Sequence, residues 1–212
     1  MHEVIAGITV PDSPLVVDAT ELVRDTTNEL IYNHSRRVFL FGSLRARALG
    51  LEPDPELLYV AALFHDLGLV QKYKNLGQRF ELDGAGQARD LLSSHGFSPA
   101  EASEVWTAIA LHTTPEVPYQ MSPVIASTTA GVEADVLGIR LDSMTADQIT
   151  EVTAAHPRPD FKRRILQAFF EGFSDRTEST FGTVNADVLE HFLPEYRHIN
   201  FVSVIKESAW IE

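Results

Sequence analysis

Cysteine is absent from the 212 residues, which excludes disulfides and thiolate metal sites and fits a reducing compartment. Basic residues are scarce: 17 lysines and arginines stand against 30 aspartates and glutamates. The net charge of −13 argues against nucleic acid or an anionic membrane as the main partner. No apolar run approaches the roughly 20 residues of a membrane span. The opening MHEVIAGITVPDSPL lacks the basic start and continuous apolar core of a signal peptide. Low-complexity stretches, internal repeats and long linkers are also missing. These absences lead to the expectation of a soluble, cytoplasmic, single-domain protein over residues 1–212, acting on a small molecule. A homo-oligomer is compatible with all of them.

Helix signals recur and strand signals are sparse, so the fold class expected is all-α. Ser13 and Pro14 start a helix as N-cap and first residue. HSRRVFLFGSLRARALG continues as a helix and stops at Gly50. Asp54, Pro55 and Glu56 open the apolar DPELLYVAALFHDLG, with Gly68 as its expected stop. Ser98 with Glu101, and Thr145 with Gln148, read as capping boxes. SPVIASTTAGVEADVLG runs from Ser122 to Gly138. DFKRRILQAFFEGF, NADVLEHF and NFVSVIKESAW complete the helical series. Phe169, Phe170 and Phe173 fall at helical spacing, as core or subunit-contact residues do.

The chemistry-bearing residues gather at helix ends. His65 and Asp66 close an almost wholly apolar segment, where a carboxylate beside an imidazole is costly unless something compensates it. His112 sits just before Pro115, and Asp135 just before Gly138. Helix C-termini carry partial negative charge, so a cation gathered there is favoured. His34 lies near the start of its own helix and must reach in from the opposite direction. His34, His65, Asp66 and Asp135 would hold a divalent metal with positions left open for water. Zinc, iron(II), manganese and nickel all suit imidazole with carboxylate.

The ordered segments NHSRRVFLFG, ALFHDLGL, RFELDGA, AIALHT and ADVLG, from Asn33 to Gly138, resemble the HD-domain metallohydrolases, and among them the cyanamide hydratase-like branch. The resemblance implies a helical HD bundle, with a motif-bearing core over about 30–140 and additional C-terminal helices over 141–212. It implies one divalent metal, zinc or iron(II) first, on His34, His65, Asp66 and Asp135. Phe80 stands where di-metal members carry a further histidine, and Leu111, His112 and Thr113 where they often have a histidine pair. Leu69 takes the place of a lysine or glutamate common in phosphate-ester members.

The function expected is a metal-dependent hydratase or hydrolase acting on a cyanamide-like, nitrile-like or other C–N substrate. Asp66 or Glu81 would move the proton, and His112 would orient substrate or stabilise charge. Asp83 is either a proton carrier or a helix cap. The alternatives are an HD phosphohydrolase on nucleotides or small phosphomonoesters, using Arg37, Lys72 or Lys74 against the phosphate, and a non-catalytic metal-binding regulatory module. Arg36 and Arg79 are the other cations near the motifs.

Overall fold

The computed structural model describes residues 3–210. Their fold is all-α apart from one short ribbon, β1 (Val4–Ile5) antiparallel to β2 (Ile8–Thr9). Ala6 and Gly7 turn the ribbon with φ of 51° and 73°, the left-handed pair that a two-residue hairpin requires. Strands of two residues leave no alternation to read, so the sequence does not announce them.

The helices follow in chain order: α1 (Pro14–Thr26), α2 (Glu29–Leu49), α3 (Pro55–Phe64), α4 (Phe80–Ser94), α5 (Pro99–Leu111), α6 (Pro123–Val132), α7 (Ala146–Ala155), α8 (Phe161–Phe173), α9 (Asn185–Phe192) and α10 (Phe201–Lys206). Their starts obey the caps. The Asp54 carboxylate accepts the Glu56 and Leu57 amides at 2.9 and 3.0 Å. The boxes at Ser98–Glu101 and Thr145–Gln148 both form. No described helix is long and apolar enough to cross a membrane.

α3 is the centre of the bundle. Each residue from Leu57 to Phe64 is at most 4% exposed, as expected of a helix apolar on every side. It stops at Phe64 rather than at Gly68. His65 caps it, Asp66 leaves the helical region, and Leu67–Leu69 form one 3₁₀ turn. Gly68 is needed for space, because a Cβ there would lie 1.9 Å from the Phe80 carbonyl oxygen.

α2 begins at Glu29, a turn and a half before His34. It crosses α6 at glycines: a Cβ on Gly42 would lie 2.7 Å from the Ser127 carbonyl oxygen, and one on Gly131 would lie 2.2 Å from that of Val38. Two backbones this close admit no side chain between them. Gly131→Ala is therefore expected to destabilise the fold by about 1–3 kcal/mol or more through overpacking, seen as a lower urea midpoint. An unchanged midpoint would mean that the crossing is looser than described.

The C-terminal helices are anchored to this core by Arg176, 3% exposed. Its guanidinium donates to the Asp83 carboxylate and to the carbonyls of Gly68, Gly172, Asn75 and Gln78. Asp83 also accepts the Asn75 amide at 3.2 Å and the Gln78 side chain at 2.6 Å. It thus ties the 70–79 loop to Arg176 and does not cap α4. Gly172 of α8 presses on Leu69, where a Cβ would meet the leucine side chain at 2.4 Å.

Candidate metal centre

Two histidines are aimed by the helices they terminate. The last carbonyls of an α-helix have no partner within it. His65 Nδ1 lies 2.8 Å from the Ala62 carbonyl oxygen, and His112 Nδ1 lies 2.7 Å from that of Ile109. A carbonyl only accepts, so Nδ1 carries the hydrogen in both rings and each Nε2 presents a lone pair. His34 reaches the same result from α2: its Nδ1 lies 2.6 Å from Asp135 Oδ2. Fixing one ring nitrogen to an acceptor so that the other is free to bind is the usual outer support of a metal-ligating histidine.

The free atoms converge. His34 Nε2 and His65 Nε2 are 3.1 Å apart, and Asp66 Oδ2 stands 3.5 and 3.3 Å from them. Metal–ligand bonds of about 2.0–2.2 Å place neighbouring ligand atoms about 2.8–3.6 Å apart in octahedral or tetrahedral shells. Both Asp66 oxygens are buried without a hydrogen bond, and all three residues are fully buried. Three lone-pair groups meeting in the interior repel one another unless a cation lies among them. The residues fit a divalent metal, and among those described His34, His65 and Asp66 form the group able to hold one.

The titration shifts have the same origin. Burial would raise the Asp66 pKa, but His65, His34 and His112 together hold it below the ordinary carboxylate range. Burial lowers His34, against the opposing pull of Asp135. On His65 burial is outweighed by Asp66, and the pKa rises. A proton and a metal ion compete for the same Nε2 lone pair, so metal uptake is favoured as the pH rises. His112 is pushed down to about 4, by burial first and by His65 second, and is neutral at pH 7.

The remaining predicted residues take distinct places. Asp135 is brought to the site, but behind His34 and outside the three-residue group. Its oxygens receive Arg37 Nε and Nη2, each at 2.8 Å, as well as His34. Burial would raise the Asp135 pKa; these partners keep it low. It is presented by a single π turn, Glu133–Leu137, which extends α6 and ends at Gly138 with φ 71°. Such turns recur at functional sites. His112 Nε2 lies 3.7 Å from Asp66 Oδ1, while His34 and His65 approach Oδ2.

Glu81 is fully buried beside this centre and does not line the cavity in front of it. Its Oε1 accepts from Arg79 at 2.7 Å, Thr113 at 2.7 Å and Asn185 at 3.2 Å. Burial would raise its pKa, but Arg79 and the other partners lower it. Phe80 meets His112 edge-on, with centroids 5.6 Å apart, and stacks on Phe173.

The cavity has a volume of about 320 Å³ and is lined by His34, His65, Asp66 and His112 at one end. Sequence reasoning missed Asn185, Val184 and Val188, which line it, and took Phe169 for core or contact when it also lines the cavity. No local signal marks these residues, because only the folding back of α8 and α9 brings them here.

The HD domain family matches residues 31–147, more than half of the chain. No curated protein matches the sequence. HD domains bind divalent metals and are in general metal-dependent hydrolases. The matched span carries His34, His65, Asp66 and Asp135, the residues whose convergence has just been described, and this chain belongs to the HD domain family.

Proposed function

We propose that this protein is a metal-dependent hydratase or hydrolase that adds water to an uncharged nitrogenous substrate, a nitrile-like or other C–N compound. The observation that carries the reading is the charge of the cavity. None of its lining residues is lysine or arginine, whereas Glu133 and Asp187 are among them. A phosphate needs cationic side chains to neutralise its charge beyond what one metal ion supplies. The cations near the motifs are committed elsewhere. Arg37 is paired with Asp135, Lys74 with Asp175, and Arg79 with Glu81. Arg36 is paired with Glu3, and Lys72 stands over the Tyr73 ring.

A divalent ion on His34, His65 and Asp66 would supply Lewis acidity and an acidified water when bound. The protein's own groups do the rest. His112, neutral and with its Nε2 lone pair facing the centre, accepts the proton released as water adds to the electrophilic carbon. It then returns that proton to the substrate nitrogen. Thr113, whose hydroxyl donates to Glu81, is held beside His112, so Glu81 acts as a positioning residue. Phe80 keeps water from the back of the His112 ring.

The test is product formation by metal-loaded protein: urea from cyanamide, and amide or ammonia from a panel of nitriles and amides. Turnover of at least one member is expected, and His112→Ala is expected to lower kcat/KM about 10²–10⁴-fold with the metal retained. Phosphate release from nucleotides with no C–N turnover would sink the reading.

A further inference from the structure

The apolar lining of the cavity says more about the substrate than its polar groups do. At about 30 Å³ per water-sized group, about 320 Å³ holds roughly ten such groups. A three-heavy-atom molecule such as cyanamide would leave most of that volume to water lying against hydrocarbon. Val132, Val136 and Leu137 form one wall, continuous with the turn that presents Asp135. Phe169, Val184 and Val188 form the other, and all three lie outside the family match, on α8, just before α9 and on α9.

This second wall is built in rather than draped on. Asn185, between Val184 and α9's remaining residues, donates to Glu81 at 3.2 Å. Phe169 and Phe173 stack with centroids 6.4 Å apart, and Phe173 is buried against Phe80. Arg176 fixes the following turn to the core through Asp83. At the mouth, Leu137 is 66% and Val184 48% exposed, a large apolar area left facing water at the entrance to a buried polar centre.

We propose that the substrate carries an apolar body of several carbons, aliphatic or a small aromatic ring, on its nitrogenous reacting end, and that Phe169, Val184 and Val188 specify it. The inference rests on the reading of an uncharged C–N substrate above. A body of this kind reaches from the metal centre along both walls and covers Leu137 and Val184. The C-terminal helices then serve as the specificity wall that the matched HD span does not itself supply.

The test is independent of turnover. Straight-chain aliphatic hydroxamates of two to eight carbons, which chelate divalent ions through a common head, are titrated into metal-loaded full-length protein by calorimetry. Affinity is expected to rise about threefold to fourfold per methylene over the first several carbons. Val184→Asn, at a half-exposed position that tolerates a polar group, and Phe169→Ala should both flatten that rise while leaving the two-carbon member's affinity unchanged. A two-carbon member that binds, followed by a flat series, overturns the proposal and leaves the proposed reaction standing. A steep series in a protein that releases phosphate from phosphomonoesters and turns over no C–N compound supports the apolar wall and overturns the proposed reaction. Failure of every member to bind overturns the proposal, because the cavity then does not open onto a metal.

Discussion

Asp66→Asn is expected to melt at the same temperature with and without a divalent ion, whereas the wild-type chain melts about 5–11 °C higher when loaded. At a free ion concentration of a hundred times Kd, binding to the native state alone contributes about 2.7 kcal/mol. A domain of this size shifts by about 2–4 °C per kcal/mol. The substitution keeps the shape of the side chain and removes its negative charge, so the loss of the shift reports on ligation rather than on packing. Asp66 has both oxygens buried without hydrogen-bond partners, which leaves the ion as the group that compensates them. Differential scanning calorimetry of both proteins, with and without metal, gives the answer. An equal upward shift in the variant would place the ion elsewhere.

Arg37→Ala carries the second large effect, this time on the fold itself. Arg37 is fully buried, donates twice to Asp135 and once each to the carbonyls of His156 and Pro157 at 3.1 and 3.0 Å. Removing one member of a buried ion pair leaves the other charged and unpaired, at a cost of about 3–5 kcal/mol. The expected fall in Tm is about 6–20 °C at 2–4 °C per kcal/mol. Because Asp135 also fixes the His34 ring, metal affinity should drop by about 10–100-fold in the folded fraction. Thermal melts and metal titration of the variant check both numbers. A loss of under 1 kcal/mol would show Asp135 to be satisfied without Arg37.

The features legible in the sequence are those set by local chemistry. Caps at Asp54, Ser98 and Thr145 declare their helices because the bond they make lies within one turn. His65 and His112 were expected at helix ends, and it is the unpaired carbonyls of Ala62 and Ile109 that aim them. Asp135 was legible as a member of the site but not as His34's support, since that distinction depends on the π turn and on Arg37, 98 residues away in the chain and invisible to periodicity. The stop of α3 at Phe64 rather than Gly68 follows from the Phe80 backbone lying against Gly68, a contact between distant segments. The cavity's second wall was illegible for the same reason. Phe169 looks like any core phenylalanine until α8 is placed against Leu69.

The lone pairs of His34 and His65 and the Asp66 carboxylate are arranged to hold one cation between them. Calorimetric titration of metal-free protein with zinc, manganese or iron(II), paired with elemental analysis of the product, tests it most directly. One ion per chain, bound with release of protons and lost in His65→Ala, is the predicted result. Two ions per chain, or a single ion retained by His65→Ala, would contradict it.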